Sequence, residues 1–168
     1  IRPSRGLGDV YKRQTTGTAS FTPTDDSIYE GNETAVISIS SVSGADAAES
    51  GSQSVTITIT ENESSPTITL ATSATSIAEN AGTSLTLTAT SSVAADEDIT
   101  VTIGTGGGGT EGTDYSTISD ITISAGATTG TVSFTPTDDN VYEGNESPVV
   151  SITGVSGADA AEDGTQSV

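Results

Sequence analysis

The chain has 168 residues, of which 23 are Asp or Glu and only four are Lys or Arg, so its formal net charge is -19 at pH 7. This charge repels nucleic-acid phosphates and anionic lipid headgroups, which excludes both as partners. The sequence has no Cys and no His, and no apolar run approaches the roughly 20 residues of a membrane helix, which excludes disulfides and membrane insertion of this fragment.

Residues 1–14 differ in composition from the rest because they contain all four basic residues. Their sequence resembles a translated sequencing adapter, and we interpret them as a non-native scar that takes no part in the fold. The alternative is a basic N-terminal arm that binds an acidic surface.

Apolar residues alternate with Thr or Ser along five stretches of the remaining chain: residues 54–60, 84–90, 99–103, 120–124 and 129–134. A period of two is typical of strands with one buried face, whereas the acidity and the few aromatic residues would by themselves favour disorder. Clusters of Gly, Asn, Asp and Ser separate the stretches at intervals of about ten residues. The pattern predicts an all-β protein with an antiparallel, immunoglobulin-like β-sandwich.

Two parts of the chain are nearly the same. Residues 15–55 match residues 128–168 without a gap, at an offset of 113 residues, and 31 of the 41 positions are identical. This offset fits one sandwich domain of about a hundred residues plus a short linker, so we interpret the sequence as a tandem repeat truncated at both ends. We expect residues 15–62 to be the C-terminal half of one repeat, residues 63–66 to be a linker, and residues 67–168 to be a second repeat that lacks most of its last strand.

In the second repeat we predict seven strands, A to G in chain order. Their predicted ranges are 67–71, 84–91, 99–103, 120–124, 129–135, 148–155 and a strand that starts near residue 166. If each strand runs opposite to its predecessor, the AB, CD and EF connections lie at one end of the sandwich, which we call the acidic tip. The BC, DE and FG connections lie at the other end, which we call the far end. The Gly-rich residues 104–112 are predicted to form a flexible CD connection.

Six carboxylates from the AB, CD and EF connections are predicted to meet at the acidic tip. They are Glu79, Asp114, Asp138, Asp139, Glu143 and Glu146. Because like charges repel, the side chains either spread apart in water as a solvated loop or surround a cation. Calcium suits such a site, since it accepts roughly six to eight oxygen ligands in flexible geometry, whereas zinc and copper favour His or Cys.

At these residues the sequence resembles the Calx-beta family, a calcium-binding β-sandwich of sodium-calcium exchangers and of repetitive bacterial surface proteins. The resemblance extends over residues 15–168 and depends on "SIAENAG", "GTDY", "ITISAGATTGTVSFTPTDD" and "VYEGNE". It implies that the six carboxylates are calcium ligands and that the first repeat has an equivalent set. That set consists of Asp25, Asp26, Glu30 and Glu33, with Glu61 and Glu63 where the family tends to have a run of aspartates. The number of ions per site stays open.

The resemblance implies a calcium-binding structural repeat of an extended bacterial protein, secreted or attached to the cell surface, with an adhesion or matrix role. Calcium ions, neighbouring repeats of the chain and cell-surface or matrix ligands are the expected partners. Two alternatives stay open: a passive acidic stalk of the halophilic type, and a regulatory calcium sensor in a membrane protein. We expect no enzymatic activity, because residues 15–168 contain no His, Cys or Lys to act as a base or nucleophile. Tyr29 and Tyr142 are expected to anchor their loops in the core.

Overall fold

The computed structural model describes residues 15–168, so the interpretation of residues 1–14 as a scar lies outside the described residues. The described chain contains eleven strands and one short 3₁₀ helix, Glu79–Ala81. The strands are β1 (Ile28–Tyr29), β2 (Glu33–Ser38), β3 (Ser54–Ile59), β4 (Thr67–Thr72), β5 (Leu85–Ser91), β6 (Ala94–Ala95), β7 (Ile99–Gly107), β8 (Ile121–Ile123), β9 (Thr129–Phe134), β10 (Pro148–Ser156) and β11 (Ala161–Glu162). The prediction of an all-β fold is confirmed.

Two sheets enclose the core of residues 67–168, which we call the C-terminal segment. One sheet has the strand order β11-β4-β5-β9 and the other has the order β10-β7-β8. All pairs within them are antiparallel except β11 with β4. Val168 exchanges backbone hydrogen bonds with Val150 of β10 at 2.8 and 2.9 Å, so the chain after residue 165 lies along this sheet. The predicted β-sandwich is confirmed.

Burial in the core follows the period of two that the sequence displays. In β4, Ile68 and Leu70 are buried while the intervening Thr69 is exposed. Fully burying one such aliphatic side chain contributes roughly 1.5 to 3 kcal/mol. Near the acidic tip the core ends with Tyr115 stacked on Phe134, with ring centroids 4.9 Å apart.

The Gly-rich stretch after predicted strand C is partly a strand. β7 continues to Gly107, which lies opposite Pro148 of β10, so the prediction of a flexible connection is wrong for residues 104–107. At Gly104 and Gly107 there is no room for a side chain, because β10 and Ser147 before it lie close to these residues. A Cβ added at Gly104 would lie 2.4 Å from Cγ2 of Thr153. Glycine within a strand can mark such a close approach as well as a loop.

Residues 15–62, which we call the N-terminal segment, contain the antiparallel pair of β2 and β3. Residues 15–27 form no strand, although residues 129–134 have nearly the same sequence and form β9. In the C-terminal segment β9 pairs with β5. The described N-terminal segment has no counterpart of β5, and a strand needs a partner for its backbone hydrogen bonds.

The two segments contact each other through β1 and β6, which pair in parallel. The backbone N–H of Asp96 donates to the carbonyl of Tyr29 at 3.1 Å. The Tyr29 side chain is 8% exposed, and its hydroxyl donates to the Asp159 carboxylate at 2.9 Å. Tyr29 is therefore buried against the C-terminal segment and not within its own loop. Tyr142 is 96% exposed, so the expectation of a core anchor is wrong for this residue.

Candidate metal centre

The acidic tip of the C-terminal segment is assembled from three separate parts of the chain. The backbone N–H of Thr137 donates to the carbonyl of Asp114 at 2.9 Å, which joins the loop after β9 to the loop after β7. The backbone N–H of Asp139 donates to the Glu79 carboxylate at 3.3 Å, which joins the same loop to the 3₁₀ helix. The connections that precede β5, β8 and β10 thus meet at one end of the sandwich.

Five of the six candidate carboxylates at this tip form two groups that share Glu143. One group consists of Glu79, Asp139 and Glu143, and the other of Asp114, Glu143 and Glu146. In each group, carboxylate oxygens from the three residues lie within 4.8 Å of one another. Asp114 is half-buried and the others are exposed. Asp138 belongs to neither group.

Local hydrogen bonds hold two of these carboxylates in position. Asp114 accepts a hydrogen bond from the backbone N–H of Thr110 through its side chain, and its own N–H donates to the Thr110 carbonyl at 2.8 Å. The carboxylate of Asp139 accepts a hydrogen bond from the N–H of Val141 at 2.6 Å, as in an Asx turn. Both side chains are therefore fixed by the turns in which they occur.

Gly109 is a residue of this site that the sequence pattern did not identify. It has φ of +80°, and an added Cβ would lie 2.9 Å from Oε2 of Glu146. Glycine therefore permits both the turn and the position of the Glu146 carboxylate. The run of four glycines was the available signal, but by itself it indicates only a loop.

The electrostatics of the tip are unbalanced. The pKa of Glu143 is raised, first by desolvation and then by the negative charges of Asp114, Asp139, Glu146 and Glu79. Residues 15–168 contain no Lys, Arg or His that could offset these charges. A cation bound among the carboxylates would favour the ionised form of Glu143.

Comparison with known protein families matches each of the two segments to a different family model. The family model of the LapA domain matches residues 64–165, which are more than half of the chain. The chain belongs to the LapA domain family. The family model of the Calx-beta domain matches residues 14–63, so the resemblance to that family is confirmed there. No curated protein and no solved structure matches the chain.

The LapA domain of this chain contains both sheets of the sandwich and the candidate metal centre. The Calx-beta match contains residues 15–55, which are 31 of 41 identical to residues 128–168, so the two matched regions are related in sequence. Within residues 15–168, no helix is long and apolar enough to cross a membrane.

The six candidate acids of the Calx-beta region surround one small cleft beside the LapA domain. They are Asp25, Asp26, Glu30, Glu33, Glu61 and Glu63. Among the residues that the structure describes, groups of three acids with oxygens within 4.8 Å occur only in the LapA domain. The carboxylates around this cleft are therefore farther apart than those of the acidic tip.

Glu61 has a different environment from the other acids of the cleft. Its carboxylate accepts hydrogen bonds from the backbone N–H groups of Glu30 at 2.6 Å, Gly31 at 2.8 Å, Asn62 at 2.8 Å and Glu63 at 2.9 Å. The bonds from Glu63 and Glu30 have the largest effect in lowering the pKa of Glu61 to about 2. Glu61 thus connects the loop before β2 to the linker.

The pKa values of the neighbouring Glu30 and Glu63 are shifted in the opposite direction. The pKa of Glu30 is raised by desolvation, and then by the negative charges of Asp26, Glu33, Asp96 and Glu61. The pKa of Glu63 is raised by its hydrogen bond with Glu61, then by desolvation and by the charges of Glu61 and Asp25. Negative charge is therefore concentrated in this cleft too, and Asp96 of the LapA domain contributes to it.

Proposed function

We propose that the chain is a calcium-binding structural module of an extended bacterial protein, secreted or attached to the cell surface, with an adhesion or matrix role. The LapA domain is adhesion-related and the Calx-beta domain is a calcium-associated family, which supports this role. Residues 15–62 would be the second half of one repeat, residues 63–66 the linker, and residues 67–168 most of the next repeat.

The observation that supports calcium is the pair of carboxylate groups that share Glu143. Their donors are all carboxylate oxygens on exposed or half-buried loops, and no positive side chain occurs in residues 15–168. This donor set fits calcium better than magnesium, which demands near-ideal octahedral geometry and keeps its waters. The ion would be held by Glu79, Asp114, Asp139, Glu143 and Glu146, with Asp138 adding charge nearby.

The second candidate site lies beside the contact between the two segments. In the N-terminal segment the ligands would be Asp25, Asp26, Glu30, Glu33 and Glu63, while Glu61 maintains the loop through its hydrogen bonds. Glu30 follows directly after β1, whose backbone pairs with β6. An ion near Glu30 would reduce its repulsion from Asp96 and so stiffen the connection between repeats.

Thermal melting of the full chain in chelator, in magnesium and in calcium at matched ionic strength tests the proposal. Extracellular calcium modules bind with dissociation constants of about 10⁻⁴ to 10⁻³ M. At ten times the dissociation constant, one site adds about 1.4 kcal/mol to the free energy of unfolding. We expect calcium to raise the Tm of the LapA domain by roughly 6 to 11 °C, since about 1 kcal/mol corresponds to roughly 4 to 8 °C in a domain of about a hundred residues. Equal midpoints in calcium and magnesium would contradict the proposal and favour the passive acidic stalk.

A matched pair of substitutions locates the ion. Glu143→Gln removes the carboxylate that both groups share, whereas Asp138→Asn removes the same charge from a residue that belongs to neither group. We expect E143Q to lose most of the calcium-dependent rise in Tm and D138N to keep most of it. Equal losses in the two variants would mean that calcium responds to the general charge of the loop and not to this site.

A further inference from the structure

The two acidic loops that follow Asp26 and Asp139 share two turn features. The Asp26 carboxylate accepts a hydrogen bond from the N–H of Ile28 at 2.8 Å, as Asp139 does from the N–H of Val141 at 2.6 Å. Gly31 has φ of +71° and its counterpart Gly144 has φ of +80°. The sequence therefore builds the same turns in both loops.

The two loops differ in what their aromatic residue contacts. Ile28 and Tyr29 pair with Ala94 and Ala95, and the Tyr29 hydroxyl reaches Asp159. Val141 is 61% exposed, and Tyr142 is almost fully exposed. A large aromatic side chain next to an exposed Val is a surface that can bind a partner. The N-terminal loop indicates what that partner is, because its nearly identical sequence is already bound.

The surface that receives Tyr29 is made from parts of the far end of the C-terminal segment. Ala94 and Ala95 provide a strand edge with small side chains. Asp159 lies in a turn with φ of +49°, which presents its carboxylate to the Tyr29 hydroxyl. Gly157, two residues before Asp159, has no room for a side chain, since an added Cβ would lie 2.2 Å from the Asp98 carbonyl oxygen. The turn therefore packs against the strand that follows β6.

The same turn occurs in the N-terminal segment. Residues 43–49 and 156–162 have the identical sequence SGADAAE. Ala45 and Asp46 have φ of +51° and +56°, close to the values of +51° and +49° at Ala158 and Asp159. The acceptor turn is thus formed by its local sequence wherever it occurs, which makes it available in any further copy of the repeat.

We propose that Val141 and Tyr142 bind the far end of a further copy of this repeat. In that contact Tyr142 occupies the place that Tyr29 occupies here, between a strand edge equivalent to β6 and a carboxylate equivalent to Asp159. The proposal rests on the tandem array proposed above and does not require that the acidic tips bind calcium.

One test exchanges the loops within the full 168-residue chain. The double variant S27N/I28V gives residues 24–33 the sequence of residues 137–146. The exposure of each tyrosine is then measured by nitration with tetranitromethane and peptide mass spectrometry. We expect Tyr29 of the variant to stay as protected as in the parent chain. A Tyr29 that reacts as fast as Tyr142 would overturn the proposal, because the second loop would then be unable to bind this surface.

The second test supplies a further copy as the partner of Tyr142. Residues 56–168 are appended after Val168, which continues the 113-residue period, and Tyr142→Phe in the appended copy leaves the original Tyr142 as the one that is measured. We expect nitration of Tyr142 to become slower by roughly tenfold or more, as for a side chain that reacts only when a local contact opens. Asp159→Ala in the appended copy alone should restore the reactivity of Tyr142. The buried Tyr115 of the appended copy reports whether that copy is folded.

Tyr142 that stays fully reactive while Tyr115 of the appended copy is protected would overturn the proposal. If that Tyr115 is reactive, the loop exchange decides the question alone. Both tests are run in chelator and in calcium. Protection of Tyr142 in chelator, in a chain whose Tm ignores calcium, would support this contact and refute the calcium function. If Tyr142 stays reactive in a chain whose Tm rises with calcium, the contact is refuted and the calcium function is supported.

Discussion

The N-terminal and C-terminal segments contain nearly the same 41 residues in different surroundings. Residues 16–21 and 129–134 differ only at Ala19, which corresponds to Val132, yet residues 129–134 form β9 and residues 16–21 form no strand. Phe21 is 43% exposed, whereas Phe134 is 8% exposed. Since the two sequences differ at one position of six, the comparison mainly reflects the effect of neighbouring strands on strand formation and burial.

The comparison continues along the next strand of each segment. Ile39, which directly follows β2, is 47% exposed, whereas its counterpart Ile152 in β10 is 6% exposed. Phe21, Ile37 and Val55 line an open groove of about 620 Å³ in the N-terminal segment. β2 and β3 still pair, because each supplies the other's hydrogen bonds. A ladder between two strands thus forms without a core, but the burial of its apolar face requires the opposite sheet.

Replacement of the paired phenylalanines should give the largest difference between the segments. Phe134→Ala removes a buried ring that stacks on Tyr115, and we expect it to lower the free energy of unfolding by about 3 to 5 kcal/mol. Phe21→Ala removes a half-exposed ring and should cost less than about 1 kcal/mol. Chemical denaturation of the two variants measures both values. Similar losses would indicate that the N-terminal segment has a packed core in solution.

Glu61 offers a second way to test the difference between the two segments, because its hydrogen bonds hold the loop of the N-terminal segment. Glu61→Gln removes the charge that strengthens hydrogen bonds from the N–H groups of Glu30 and Gly31. We expect hydrogen exchange of these two amides to become roughly tenfold faster, measured by NMR. Because the folded pKa of Glu61 is lowered to about 2, its stabilising effect is present above its ordinary pKa and is lost as pH falls towards 2.

The amides of the C-terminal loop provide the control for this variant. Exchange at Glu143 and Gly144 should not change in E61Q, since their loop lies in the other segment. Faster exchange in both loops would mean that the substitution acts on the whole fold and not through the four hydrogen bonds of Glu61.

A smaller effect is expected from the hydroxyl groups of the paired tyrosines. Tyr29→Phe removes the hydrogen bond to Asp159 and keeps the ring. We expect exchange of the Asp96 amide, which donates to the Tyr29 carbonyl, to become roughly fivefold faster. Tyr142→Phe should leave this rate unchanged. An equal effect of the two variants would contradict the contact between Tyr29 and the C-terminal segment.

The smallest expected effect is the pH dependence of the chelated protein. A raised folded pKa means that Glu143 favours its protonated form in the native state, so its contribution to stability falls as pH rises through that pKa. Lowering the pH from 7 to about 5 in chelator should therefore raise Tm slightly. The rise should be smaller in E143Q and absent in calcium, where protons compete with the ion. A Tm that falls over this range in chelator would contradict the crowding of charge at the tip.

The fold class could be predicted from the sequence because burial in a sandwich has the same period of two as the residue pattern. Ile68 and Leu70 alternate with Thr in the sequence and are buried alternately in the structure. The grouping of Glu79, Asp114 and Glu143 at one end could be anticipated from the alternating direction of the strands. Whether these residues bind a metal stays a prediction.

Other features depend on contacts that no local pattern records. Gly104 and Gly107 belong to a strand because β10 approaches them closely, and a run of glycines by itself favours a loop. The hydroxyl of Tyr29 donates to Asp159, which is 130 residues away in sequence. Glu61 holds its loop by accepting hydrogen bonds from four backbone N–H groups. The sequence lists side chains and does not indicate where these backbone groups point.

The pairing of β1 with β6 also has a direction. β1 lies in the acidic loop of the N-terminal segment, and β6 lies at the far end of the C-terminal segment. Because the two surfaces of such a head-to-tail contact are different, one contact leaves both surfaces unpaired at the ends of a dimer. Further copies form a closed ring only if the rotation between successive copies returns to the start. Copies joined in this way would add length in one direction, as a polar filament in which each step is fixed by a backbone ladder two residues long.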